Sequence, residues 1–276
     1  LHDASGSFNT GLKTNYHSVS TFLFDSLVFG PVFSRRLGRS LGINLLPVDA
    51  KLCNYDCVYC ECGWSGTADP EGMHYPRHQL VAHELEQRLE EILQKGEEID
   101  SITFAGNGEP TLHPEFPAIV RSVNELRNRF FPSAKTAVLS NASRIHLQDV
   151  REAVMMTDIH MLKLDAGNEE TFRLLNGPPR GFSLQRLMEN LALIRQGLVI
   201  QSLFVRGEVK GITIDNTTPE ETEAWLEKLR ILKPEKVIVY SIERDTAAEG
   251  LKVVPASELE QLAARVRQSG MQAEIY

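Results

Sequence analysis

Apolar residues along this chain recur at two different spacings, and the spacing switches repeatedly. In residues 41–45 (Leu-Gly-Ile-Asn-Leu) they fall at every second position and stop before Pro47, which predicts a strand. Leu80, Val81, Leu85, Leu89, Ile92 and Leu93 follow at three- and four-residue steps and end at Gly96, so residues 78–95 predict a helix. The alternation continues, with strands predicted at 101–104, 136–139, 159–164, 199–205 and 236–241. Helices are predicted at 115–130, 147–155, 168–175, 183–196, 219–232 and 256–269. Counted from Leu41, these make six strand–helix units. Several strands are continuous apolar runs, as in Ala137-Val-Leu139 and Val237-Ile-Val239, the pattern of strands covered on both faces.

Alternation at this period requires a parallel sheet with right-handed crossovers. The expected fold is therefore α/β, a partial (β/α)6 TIM-type barrel of parallel strands. No linker or composition break divides the body, which predicts one domain over 20–276. Residues 1–18 are polar, rich in Gly, Ser and Asn and without apolar periodicity, so 1–19 are expected to be a poorly ordered extension or cloning remnant.

In such architectures functional groups sit on the loops that follow the carboxyl ends of the strands. The unusual residues of this chain fall there. Cysteines follow the first strand, Ala105-Gly-Asn-Gly-Glu-Pro110 the second, Ser140-Asn141 the third and Asp165-Ala-Gly167 the fourth; Arg206-Gly207 follows the fifth and Glu243-Arg244-Asp245 the sixth. One rim is expected to collect them all.

Composition narrows the function class. A 42% hydrophobic fraction over 276 residues supplies the core of an enzyme-sized body. The net charge of -8, from 37 acidic and 29 basic side chains, argues against a broad electrostatic grip on nucleic acid. No apolar run has the length of a membrane span and no secretory h-region is visible, so a cytoplasmic location is expected. The basic run at Arg35, Arg36 and Arg39 could clamp a phosphate or carboxylate, or pair with surface acids as a solvated face.

The four cysteines are the decisive chemistry. Cys53, Cys57, Cys60 and Cys62 lie within ten residues, and the first three are spaced C-x3-C-x2-C. In a cytosolic setting such a cluster reads as metal ligands rather than a disulfide framework. Three thiolates on a short loop suit a cubane iron–sulfur cluster with one iron free of protein ligands. Three other readings compete: a buried helix face, because the spacing is i, i+4, i+7; a zinc knuckle using all four thiolates; and a non-catalytic electron-transfer centre with Cys62 as the fourth ligand.

With Tyr59 just before the third cysteine, this signature resembles that of the radical S-adenosylmethionine (SAM) superfamily. The resemblance implies that Cys53, Cys57 and Cys60 ligate a [4Fe-4S] cluster, and that SAM chelates the fourth iron and is cleaved to a 5'-deoxyadenosyl radical that abstracts hydrogen from a substrate. It further implies a SAM-binding role for Asn107, Gly108, Glu109 and Pro110, which stand where the family has Gly-Gly-Glu-Pro. Ser140 and Asn141 resemble the ribose-contacting position, with a helix cap as the plain alternative. Lys163 and Asp165, two apart on one strand face, are candidates for the cofactor carboxylate, the substrate or a barrel ion pair. Arg206 and Lys210 are rim candidates, Tyr240 is a candidate for packing near the adenine, and Cys62 is expected to be a bystander.

Residues 30–47, Tyr59 to Gly63 and Tyr240 to Arg244 narrow the resemblance to enzymes related to tRNA wyosine synthase, without the cysteines for their second cluster. The substrate is left open among small molecule, peptide and RNA, with modified guanosine in tRNA the alternative within the enzyme reading. An electron donor such as flavodoxin or ferredoxin is the implied partner.

Overall fold

The computed structural model describes residues 22–65 and 74–276, so the expectation for residues 1–19 lies outside the described residues. Eight strands form the main sheet. They are β1 (Val28–Ser34), β2 (Gly38–Ile43), β3 (Ser101–Phe104), β4 (Lys135–Ser140), β5 (Ile159–Lys163), β6 (Leu198–Leu203), β9 (Lys236–Tyr240) and β11 (Gln272–Ile275). Their spatial order is β1-β2-β3-β4-β5-β6-β9-β11. From β2 onward every pairing is parallel, and β1 alone runs antiparallel, as the first arm of a hairpin with β2.

Among the described residues seven α-helices connect the strands: α1 (His78–Gln94), α2 (Phe116–Phe130), α3 (Gln148–Met155), α4 (Glu169–Asn176), α5 (Leu184–Ala192), α6 (Pro219–Leu232) and α7 (Ala256–Gln268). Each buries one stripe. In α2 the buried residues are Phe116, Ile119, Val120 and Val123, spaced i, i+3, i+4, i+7 as a helix against a sheet requires. Three helices start where the sequence supplies a cap: Asn168, Ser183 and Thr218 accept from the backbone N–H three residues on. Among the described residues no helix is long and apolar enough to cross a membrane.

The six expected parallel strands are β2, β3, β4, β5, β6 and β9, and the fold class is the one expected. Three features differ. β1, antiparallel to β2, precedes the first expected strand. A seventh parallel strand, β11, follows α7. The predicted strand at 199–205 is two strands: β6 ends at Leu203, and the chain turns at buried Phe204 into a three-stranded antiparallel sheet of β7 (Val205–Val209), β8 (Ile212–Asp215) and β10 (Leu251–Val253), ordered β10-β7-β8. Asn216 fixes the break. Its carbonyl accepts from Val205 N at 2.8 Å, while its amide donates to Asp165 O at 2.8 Å and Leu203 O at 2.7 Å.

The concave face of the sheet carries its own packing. Met161, Val199 and Ile238 from β5, β6 and β9 form an inner apolar layer, joined by Leu139, Tyr240 and Leu37 from the β1–β2 turn. Two residues further along the same strands, on the same face, stand Lys163, Gln201 and Tyr240. These open onto the site.

Candidate active site

Strand ends deliver side chains to one cavity of about 300 Å³. Cys53, Cys57, Cys60 and Cys62 line it from the loop after β2, and Gly106, Gly108 and Glu109 from the loop after β3. Ser140, Asn141, Lys163, Gln201 and Tyr240 line it from β4, β5, β6 and β9, and Arg36 reaches it from the β1–β2 turn. The cavity thus lies at the carboxyl ends of the parallel strands.

The cysteine loop is irregular, and its backbone is pinned from three sides. Leu52 N donates to Asn107 O at 2.8 Å and Glu109 N to Leu52 O at 3.1 Å, a bridge that brings the loop onto the glycine segment. Val58 N donates to Leu175 O near the end of α4, and Ala247 N donates to Cys60 O. Only glycine fits at 108, where φ is +143° and a Cβ would lie 1.9 Å from Leu52 O. The backbone here is not helical, so the buried-helix-face reading of the cysteines falls away.

All four thiols are free. Burial, reinforced by Cys57 and Glu109, pushes the Cys53 thiol well above its ordinary value, and burial pushes Cys57 to about 11. The adjacent Cys62 thiol, helped by the buried Lys51 ammonium, outweighs burial and holds Cys60 below its ordinary value. Pairing with Cys60, and then burial, shift the Cys62 thiol upward, and Cys62 Sγ donates to Gly106 O at 3.6 Å. Further donors face the sulfurs: Tyr55 N at 3.4 Å and Asn141 Nδ2 at 3.7 Å from Cys53, and Asn176 Nδ2 at 3.6 Å from Cys57. Lys51 is a site residue not picked out from the sequence. Its side chain is 2% exposed and donates to Gly63 O at 2.9 Å and Asp56 Oδ1 at 3.2 Å. Burial works against its charge, but negative charge on Cys60, Cys53, Cys57 and Asp56 more than offsets that. Its place two residues before Cys53 was the available signal.

Glu109 is buried, and its carboxylate is the hub of the next two loops. It accepts from Thr111, from Ser140 Oγ at 2.7 Å and from Asn141 N at 2.7 Å. Burial raises its pKa, partly countered by those donors. Ser140 and Asn141 thus line the cavity while holding Glu109, and Asn141 Nδ2 also donates to Asn54 Oδ1 at 2.9 Å. Asn107 and Pro110 do not line the cavity. Asn107 turns away, its side chain bonding Phe24 N, Phe24 O and Pro47 O at 2.8–2.9 Å, and Pro110 starts a short 3-10 turn.

Lys163 and Asp165 come together as their alternation predicts, 3.5 Å apart. Lys163 faces the cavity, donates to Tyr240 Oη at 2.9 Å and lies 4.8 Å from the centre of the Tyr59 ring. Burial disfavours its charge, yet Asp165 and Tyr240 hold its pKa above the ordinary value. Asp165 lies behind it and accepts from the Tyr59 hydroxyl, Asn176 Nδ2 and Leu203 N. Arg206 is not brought to the cavity, because the chain leaves the main sheet before it; the guanidinium pairs with Glu258 on α7 instead. Lys210, at the β7–β8 turn, lies over the Trp64 ring, 5.5 Å from its centre.

The sequence profile of the radical SAM superfamily matches residues 49–208, more than half of the chain and the stretch that carries most of this wall. The chain belongs to the radical SAM superfamily. Membership implies SAM and an iron–sulfur cluster as the groups that members of the family hold. A UPF0026 protein of Methanocaldococcus jannaschii is 32% identical to this radical SAM protein over 76% of its chain and 62% of the relative's. A protein named GTPase Obg from Brachyspira hyodysenteriae is 28% identical over 90% of this chain, which spans only 35% of that relative's length. Among solved structures, a radical SAM methyltransferase from Sphaerobacter thermophilus superposes with TM-score 0.63 at 15% identity, covering 86% of this chain and 65% of that one. TYW1 with a lysine-pyruvate adduct bound gives 0.60 at 14%, covering 83% and 73%. At these identities the likeness is one of fold.

Proposed function

We propose that this chain is a radical SAM enzyme in which Cys53, Cys57 and Cys60 hold a single [4Fe-4S] cluster and SAM occupies the iron they leave open. The observation that carries the reading is that six successive strands of the sheet turn their carboxyl ends to one cavity, with the three thiols on one wall and Glu109, Ser140 and Asn141 next to them. The donor set suits the group. Burial leaves Cys53 and Cys57 unwilling to ionise alone, and bound iron supplies the positive charge that makes them thiolates, with release of protons. The donors facing the sulfurs and the nearby Lys51 ammonium balance the remaining negative charge. Zinc holds its ligands about 2.3 Å from one point. Among the described residues no three Cys, His, Asp or Glu side chains gather in that way.

When bound, the cluster and SAM would supply a 5'-deoxyadenosyl radical able to take hydrogen from an unactivated carbon of the substrate, which is the cofactor's chemistry rather than the protein's. The protein's own task is placement. The carboxylate of Glu109, already accepting from Thr111, Ser140 and Asn141, is fixed in position to accept also from the ammonium of a methionyl group. Glycines at 106 and 108 let the ligand come close to the backbone. Lys163, held between Tyr59 and Tyr240, offers a fixed positive charge to a carboxylate of cofactor or substrate. Asp165 acts behind it as a positioning residue. An electron donor such as flavodoxin or ferredoxin completes the requirement for a reductant.

The test is anaerobic reconstitution followed by iron analysis and electron paramagnetic resonance (EPR). About four irons per chain are expected, with a reduced-cluster spectrum that changes when SAM is added. Cys57→Ala should lose the cluster and Cys62→Ala keep it. Retention of zinc alone, or loss of the cluster in Cys62→Ala, would overturn this reading in favour of a zinc module or a four-cysteine electron carrier.

A further inference from the structure

The basic run of the β1–β2 turn is divided by the fold. Arg35 is exposed and pairs with Glu243. Arg39 is exposed and bridges Glu98 at 3.1 Å and Asp100 at 3.3 Å. Arg36, between them in sequence, turns inward and lines the cavity. It has no carboxylate partner among the described residues. Its guanidinium lies over the Tyr240 ring, 4.5 Å from the centre, and Nη1 donates to the neutral Gln201 Oε1 at 3.1 Å. Of the two acids on the cavity wall, Glu61 is bonded to Arg244 at 2.9 Å and Glu109 is taken by Thr111, Ser140 and Asn141, while Asp165 is occupied by Tyr59, Asn176 and Leu203.

We propose that Arg36 anchors an oxyanion of the substrate, a carboxylate or a phosphate group, on the β6–β9 side of the cavity. The proposal rests on the reading above and deepens it, since it names a substrate class for the same site. Stacking on Tyr240 and one bond to Gln201 fix the plane of the guanidinium yet leave most of its five donors open, the state in which an arginine grips a planar or tetrahedral anion through two hydrogen bonds. Lys163 adds a second positive charge beside the same ring, 5.4 Å from its centre. Thiols, Glu109 and Ser140 occupy the β2–β4 side. An acidic group held by Arg36 would therefore lie across the cavity from the cofactor's methionyl end, with the rest of the substrate between them.

The test uses cluster-loaded protein with SAM present, so that the open iron cannot take up the probe. Melting temperature is measured as chloride is replaced at constant ionic strength by inorganic phosphate or by propionate, because a ligand bound only by the folded state raises it. A rise with one of the two probes is expected, and which one assigns the anion as phosphate or carboxylate. Arg36→Gln should weaken that probe by about tenfold or more, as loss of hydrogen bonds to a charged group does. Arg35→Gln and Arg39→Gln should leave it unchanged. Arg36→Lys, which keeps the charge but not the fork, should be intermediate, and it answers the question should Arg36→Gln fail to fold.

Three results would each overturn the proposal: no rise with either probe in the wild type, a rise of equal size in the Arg36 variants, or loss of the SAM-induced EPR change in Arg36→Gln. The last would reassign Arg36 to the cofactor. If the wild-type cluster itself ignored SAM, the enzyme reading would fail before Arg36 was tested.

Discussion

At the scale of the residue, the site is built by close approach. Gly108 lets the cysteine loop lie directly on the β3 loop, and a methyl group there would press on the backbone oxygen of Leu52, which no side-chain movement can relieve. Gly108→Ala is accordingly expected to cost about 4 kcal/mol or more, read by denaturant unfolding, and to lower iron content after reconstitution because the loop can no longer seat. Gly96→Ala is the matched comparison. There φ is also positive, at +67°, but nothing lies within 4 Å of the added carbon, so only backbone strain of about 1 kcal/mol is expected, with iron content unchanged. Much of this wall was legible from residue type and spacing. The cysteines, Glu109, Ser140, Asn141, Lys163 and Tyr240 all reach the cavity, because strand ends can be read from periodicity. Asn107 was not, since its amide is the tie between the Phe24 segment and the loop after β2, a long-range role that no local pattern records. Arg36 was legible only as part of a basic run. Its separation from Arg35 and Arg39 follows from the hairpin turn and the distant acids that claim its neighbours.

At the scale of the element, the doubly covered strands were readable and the half-exposed ones were not. β2, β3, β4, β5, β6 and β9 are buried along most of their length, whereas β1 exposes Val32 and Phe33 and contains Pro31, which blurs any alternation. β7 and β10 pair across short stretches that include Arg206, Gly207 and Lys252. The buried stretch from Leu198 to Val205 hid the turn at Phe204, because the turn depends on Asn216, eleven residues beyond Val205. β11 was missed because Gln272-Ala-Glu-Ile275 alternates polar and apolar residues with no buried apolar run, yet it closes the edge of β9 along Lys236 to Val239. That gives an expectation for the element as a unit. A chain ended at Met271 uncovers the apolar edge of β9 and leaves α7 without part of its support, and open edges of this kind pair with other chains. Size-exclusion chromatography of the shortened protein should show most of it as aggregate, while the wild type elutes as a defined species.

For the molecule as a whole, stability against pH follows from two buried histidines, His113 and His160. His113 is buried with both ring nitrogens engaged: Nδ1 accepts from Glu115 N at 3.0 Å, which leaves the proton on Nε2 to donate to Pro76 O at 2.8 Å. A second proton would have to displace the Glu115 bond. Burial lowers the pKa of His113, despite opposing contributions from Pro76 and Glu115. Burial likewise lowers that of His160, whose Nδ1 is 3.1 Å from Thr157 Oγ1. A histidine whose folded pKa is depressed binds its proton more readily in the unfolded chain. Its contribution is therefore fully present above the unfolded value near 6.5 and is lost as pH falls from there through the lower folded value. Each histidine can add a slope of up to about 1.4 kcal/mol per pH unit in that window. Denaturant unfolding of anaerobic holoprotein between pH 7 and 5.5 should show stability declining with acid. His113→Gln with His160→Gln should flatten the decline and each single variant remove part of it, the cluster's own acid sensitivity cancelling in the comparison with wild type. An identical decline in the double variant would place the acid sensitivity in the thiols and the cluster instead, where proton release on metal binding predicts the same sign.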